Sequence, residues 1–185
     1  LGLLEAMRNG GTQLLCRPSH PLYTPTVAAM REVLDLFVGR RLSLTLRCAG
    51  VIALTMKPGE GPMPFHCDQL TTTPRAREEA RKRWSVLLYT SDTQATALPR
   101  FTEEQMDQAA DPQQPLAAVT RLLQPSNFFA GRVRCGSTLV MRSDVPHASV
   151  KHHGSDARLV LYALFSAEGQ EQQMKNAFFP LGVPA

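Results

Sequence analysis

Aromatic residues are scarce in this chain: one Trp, three Tyr and eight Phe, 6% of 185 residues. That scarcity argues against a stacking platform for nucleic-acid bases, which needs aromatics interleaved with basic side chains. Cysteine is sparse too. Cys16, Cys48, Cys67 and Cys135 are scattered without a CxxC pair, which argues against a cysteine zinc site or a short disulfide framework. Reduced thiols follow, and with them a cytoplasmic or nuclear setting. No apolar run approaches the roughly 18 residues of a membrane-spanning helix, and no signal peptide is visible. A soluble protein with no membrane partner is expected. The chain starts at Leu1 rather than Met, so it is expected to be a processed or truncated piece, whose missing N-terminus could have carried a targeting segment. Internal repeats and low-complexity segments are also lacking.

What is present suits one domain. Hydrophobic residues make up 43% and charged residues 19%, enough for a sizeable core. The net charge of +4 permits an anionic substrate or nucleic acid without requiring either. Residues 1–9 are expected to form a short helix ended by Gly10-Gly11. A Pro-rich turn follows a short apolar run at 13–16. Thr24-Pro25 then reads as N-cap and first-turn proline of a second helix. Val27, Met30, Leu34, Phe37 and Val38 recur at helical spacing to Gly39, a stripe fit to pack on the outside of a sheet.

From Leu42 the period becomes two: Leu42, Leu44 and Leu46 alternate with Ser43, Thr45 and Arg47. Ala49-Gly50 predicts a turn, and 51–56 a second strand that Pro58-Gly59 breaks. Thr73-Pro74 opens a charged helix through Arg83, with Glu78–Lys82 and Glu79–Arg83 at i,i+4 spacing. A solvated face is the default account of its basic run. Arg132, Arg134 and Arg142 could add to a surface guiding an anionic substrate. Trp84–Tyr89 is an apolar strand. Residues 90–125 form a polar insertion with helices near 102–110 and 115–123, the first opened by a capping box at 102–105. Extended segments follow near 127–135, 137–142 and 157–166, then a polar stretch and an apolar end at 178–181.

The stretch with chemistry in it is Pro64-Phe65-His66-Cys67-Asp68-Gln69. On an extended segment, side chains two apart share a face, so His66 and Asp68 can reach one metal ion while Cys67 turns away. Taken alone the pair is equally a surface turn. Downstream, Gly136–Met141 leads into Asp144-Val145-Pro146-His147, where proline restricts the approach. His147 would supply a third ligand. His152 and His153 are its rivals, but a solvated turn accounts better for them. Arg158 lies eleven residues beyond His147 at the head of an apolar strand, and a guanidinium there can grip a carboxylate through two parallel hydrogen bonds. Two imidazoles and a carboxylate on one face suit non-haem Fe(II) and leave coordination positions open.

The ordered set His66-x-Asp68, His147, Arg158 resembles the pattern of the Fe(II)- and 2-oxoglutarate-dependent dioxygenases, over roughly residues 42–166. The run of short strands, with helices toward the N-terminus and in one insertion, suggests an α+β fold around a β-sandwich or barrel, with N-terminal helices packed on one sheet and a C-terminal tail at 167–185; the resemblance implies that the core is a double-stranded β-helix (jelly-roll, cupin-like). Within a single catalytic domain spanning 1–185, residues 1–41 would be the helical support. It implies metal ligands His66, Asp68 and His147. Arg158 would hold the far carboxylate of 2-oxoglutarate, which with O2 becomes succinate and CO2 as substrate is hydroxylated; ascorbate would support the iron. Many relatives carry a Tyr near Met56, and some a Ser where this chain has Val160, so a second cosubstrate contact must come from elsewhere. Tyr89 is the candidate, although a half-buried strand-end Tyr is as good an account of it. Three functions remain open: a hydroxylase acting on a protein side chain or small molecule, a nucleic-acid-base oxygenase or demethylase, and a non-enzymatic β-sandwich binding module.

Overall fold

The computed structural model describes residues 3–8, 11–16, 18–39, 46–61, 66–68, 78–100, 104–105, 122, 124–167 and 179–180. Twelve strands and one α-helix are named among them, in the order β1 (Leu3–Arg8), β2 (Gly11–Cys16), α1 (Tyr23–Leu34), β3 (Leu46–Met56), β4 (His66–Cys67), β5 (Arg83–Tyr89), β6 (Thr93–Gln94), β7 (Leu98–Pro99), β8 (Phe128–Phe129), β9 (Arg132–Val133), β10 (Thr138–Arg142), β11 (Arg158–Ala167) and β12 (Phe179–Pro180). Six of the strands build one sheet in the order β1-β2-β3-β11-β5-β10, every adjacent pair antiparallel. Three two-stranded ladders, β4–β12, β6–β9 and β7–β8, accompany it. Among the described residues no helix is long and apolar enough to cross a membrane.

Alternation gives the main sheet two different faces. On one, Val51, Val86, Ala163 and Phe165 pack with Met30 and Leu34 of α1 and with Val38 just beyond it. The spacing of those three helix-side residues is the expected apolar stripe, and it lies on the sheet as the sequence predicted. On the other face Ile52, Leu87, Tyr89, Met141, Val160 and Tyr162 form a second buried cluster. Of the predicted stripe, Phe37 departs: it is 65% exposed in the π-helical turn Asp35–Gly39, where the wider turn rotates it away from the sheet.

Several boundaries differ from expectation. Residues 3–8 are a strand, not a helix, and pair with β2 up to Arg8↔Gly11. The two-residue connection Asn9-Gly10 is a tight-hairpin sequence, which outweighs the reading of its glycines as a helix stop. A hairpin on the sheet edge and one helix therefore replace the expected N-terminal helices. Helix α1 begins one residue before Thr24, with Leu22 as an N-cap lacking a side-chain bond, and Pro25 sits in the first turn, where its missing N–H costs nothing.

Ala49-Gly50 is no turn. Strand β3 runs through it, and Gly50 pairs with Leu164 while Cys48 pairs with Phe165, which leaves Ala49 as the extra residue of a bulge. The turn at Pro58-Gly59 is present, with Gly59 at φ 79°. The charged helix stops short: residues 78–80 are helical, Glu78–Lys82 is paired at 3.4 Å, and Arg83 already opens β5. Residues 42–45, 69–77, the capping box at 102–103 and nearly all of the two helices expected in the insertion lie outside the described residues.

Candidate functional site

The second sheet face carries polar side chains at period-two positions that an apolar strand has no structural use for. Ser85 on β5 is fully buried and Tyr162 on β11 is 4% exposed. Ser85 Oγ donates to Asp68 Oδ2. Its single proton is then committed, so the 3.3 Å contact between the two hydroxyls has Tyr162 as donor. Burial chiefly, and the Asp68 carboxylate next, push the Tyr162 phenol well above its ordinary value. It therefore stays a protonated donor. One oxygen of Asp68 is thus fixed by a chain of two hydroxyls rooted in adjacent central strands.

Its other oxygen faces His147. Both residues are buried, and His147 Nε2 lies 3.5 Å from Asp68 Oδ1. His147 Nδ1 is 2.9 Å from the Val145 carbonyl. A carbonyl only accepts, so Nδ1 carries the proton, and in the neutral ring Nε2 presents its lone pair to the carboxylate. A cation between two such electron pairs, either a second proton on the ring or a metal ion, would stabilise them away from water. The separation is within the span of two ligand atoms each about 2.1 Å from one ion. The donor set fits a divalent metal, with the Nδ1–H bond serving to orient the imidazole.

Local structure explains how His147 arrives there. Arg142 clamps Asp144 through two 3.0 Å bonds, Nε to Oδ1 and a terminal nitrogen to Oδ2. The Val145 N–H closes a turn onto the Arg142 carbonyl. Pro146 is buried, and Ala148 exchanges both backbone bonds with Ala97, so the residues on each side of His147 are pinned. Cys67 is buried beside Asp68, and burial first, with the Asp68 and Asp144 carboxylates after it, pushes its thiol up to about 12.

Asp68 and His147 are therefore brought together. The backbone of His66 pairs with Pro180 in the β4–β12 ladder, but its side chain lies outside what is described. Among the described residues no group of three His, Cys, Asp or Glu converges on one point. Arg158 heads β11 and is buried. Its guanidinium donates to the Met56 thioether at 3.4 Å, a weak acceptor, and no carboxylate partner occurs among the described residues. Burial lowers its ordinary value, offset in part by Tyr89. Met56, noted as a departure from the family pattern, is thus the side chain under the guanidinium. Tyr89 is 1% exposed; its hydroxyl donates to Thr96 Oγ1 at 2.9 Å and accepts the Thr96 N–H at 2.8 Å. That hydroxyl is already engaged.

Of the rival histidines, His153 is exposed as expected, but His152 is buried, with Nε2 against the Asp156 carbonyl. It belongs to a packed loop rather than a solvated turn. Ser85 and Tyr162 escaped the sequence reading. Their signal was present, a hydroxyl at a site-facing position of each apolar strand, yet which face was the site-facing one depended on pairings far apart in the chain.

No family model matches this sequence, and no curated protein does. Solved structures do match the fold. HygX from Streptomyces hygroscopicus, with nickel, 2-oxoglutarate and hygromycin B bound, superposes with a TM-score of 0.58 at 11% identity, over 90% of this chain and 74% of that one. SnoK, a non-heme alpha-ketoglutarate-dependent carbocyclase from nogalamycin biosynthesis, gives 0.61 at 13% identity over 89% and 68%. A Pseudomonas putida prolyl-4-hydroxylase gives 0.54 at 18% identity over 90% and 78%. At these identities the likeness is one of fold. This chain therefore shares its fold with these three proteins.

Proposed function

We propose that this chain is an Fe(II)- and 2-oxoglutarate-dependent oxygenase that hydroxylates a C–H bond, its core a double-stranded β-helix within a single catalytic domain. The observation that carries it is the buried Asp68–His147 pair, whose facing lone pairs call for a cation. Fold similarity to HygX, which holds nickel with 2-oxoglutarate or iron, supports the choice of a metal over a second proton. The short ladders beside the main sheet, with Asp68 reaching from the end of β4 to Ser85 on β5, support the two-layered core.

In this reading Asp68, His147 and His66 hold the iron, which when bound with 2-oxoglutarate supplies the oxidative decarboxylation that drives hydroxylation. The protein's own share is positional. Ser85, backed by Tyr162, keeps Asp68 Oδ1 turned inward. The Val145 carbonyl keeps His147 in the tautomer whose Nε2 can ligate. Arg158 waits as a buried cation with no carboxylate partner among the described residues, a costly state that the far carboxylate of 2-oxoglutarate would relieve through paired hydrogen bonds. Ile52, Leu87, Val160 and Met141 form a buried apolar cluster that would keep water from a cosubstrate pocket beside it. Residues 90–125 would shape its mouth.

The test is conversion of 2-oxoglutarate to succinate in air with added Fe(II) and ascorbate. Turnover is expected in the wild type. Arg158→Ala should keep its metal while needing about 10- to 100-fold more 2-oxoglutarate, the worth of a charge-assisted pair. Absence of succinate from metal-loaded wild type, or an unchanged requirement in the variant, would reject the assignment.

A further inference from the structure

Outside the candidate centre, a groove of about 460 Å³ runs between the β6–β9 ribbon and the loop at 151–154. Three permanent cations line it: Arg132, Arg134 and Lys151. All are exposed, and none makes an ion pair with another described residue. Its one acid among the described residues, Asp92, is tied down, since Oδ1 accepts the Cys135 backbone N–H at 2.8 Å. Like charges gathered in a concave site raise the local potential for an anion, and the volume is that of a small-molecule pocket.

The walls are built rather than incidental. Thr93 and Gln94 pair with Val133 and Arg132, which sets the arginines along one side. Opposite, the Gly59 N–H donates to the His152 carbonyl at 3.0 Å, fastening the lysine-bearing loop to the turn after β3. Gly154 lies over the His152 ring so closely that a Cβ there would come within 2.6 Å of Cε1. Only glycine permits that packing. The same loop joins His147 to Arg158, so a molecule in the groove rests against the segment that connects two residues of the candidate centre.

We propose that this groove binds a phosphate-bearing small molecule, with Arg132 and Arg134 as hydrogen-bonding forks and Lys151 as a point charge. The inference does not depend on the oxygenase reading, because it is tested on metal-free protein. Inorganic pyrophosphate is titrated calorimetrically at low salt into the wild type, into Arg132→Gln/Arg134→Gln and into Lys151→Gln. These are exposed positions, so the variants fold. Saturable one-site binding is expected for the wild type, about tenfold or more weaker in each variant, and fading as salt rises. The proposal fails if pyrophosphate does not bind the wild type, or binds all three proteins equally. It also fails if a single-stranded oligonucleotide binds while pyrophosphate does not, since the surface would then serve a polymer rather than a small molecule.

Discussion

The two faces of the main sheet are made by the same strands and could hardly differ more. Against α1, the buried residues of β3, β5 and β11 are Leu46, Val51, Val86, Ala163 and Phe165, apolar throughout. On the opposite face the same strands bury Ser85, Tyr89, Tyr162 and Arg158 beside the apolar Ile52, Leu87 and Val160, and Asp68 and His147 are drawn down onto them. Burying polar groups costs free energy unless each finds a partner. One face is therefore apolar core alone, and the other sets arranged polar chemistry beside a second apolar cluster. Adjacent residues in a strand, one position apart, belong to different tasks.

Substitutions on either side sharpen the contrast. On the polar face, His147→Ala should abolish iron retention, read by metal analysis after desalting, with far-ultraviolet circular dichroism unchanged. Full metal stoichiometry in that variant would dissolve the distinction between the faces. On the apolar face, Phe165→Ala should lower unfolding free energy by about 3–5 kcal/mol in a denaturant titration, with metal stoichiometry of the folded fraction untouched. A loss of metal affinity there as large as the loss of stability would show the two faces to be coupled.

Ser85→Ala tests the hydroxyl that aims Asp68. Metal affinity should fall about 10- to 100-fold, the usual effect of removing an orienting partner, and Ser85→Thr should recover most of it. An alanine variant with wild-type affinity would reduce Ser85 to a packing residue. The smallest effect is expected from Tyr162→Phe, which removes one neutral hydrogen bond of 3.3 Å to Ser85. About threefold to tenfold in metal affinity follows from a bond worth roughly 0.5–1.5 kcal/mol. An effect exceeding that of Ser85→Ala would reverse the order of the hydroxyl chain.

Legibility in the sequence followed the range of the interaction. Helix α1 was visible in Met30, Leu34 and Val38, because helical spacing is local. Strands β5, β10 and β11 were visible in their apolar runs for the same reason. The N-terminal hairpin was missed because Gly10-Gly11 suits a helix stop, while Asn9-Gly10 suits a tight hairpin. Pairing with β3 decides between them. Gly50 marked an irregularity, but a bulge and a turn share that signal until the partner strand is known. His152 looked solvated among Lys151, His153 and Gly154, yet that loop is packed against the turn at Pro58-Gly59.

The sequence by itself determined the residue types and their order: an acid two places after a histidine, a second histidine behind a proline, an arginine opening an apolar strand. Local periodicity settled most of the elements that carry them. Only the tertiary structure decided that Asp68 and His147 stand 3.5 Å apart, although they are 79 positions apart in the chain. It also decided that Ser85 and Tyr162 are the hydroxyls behind them. The reason is physical: alternation along a strand says which residues share a face, but which face meets the helix and which meets the site is set by long-range strand pairing.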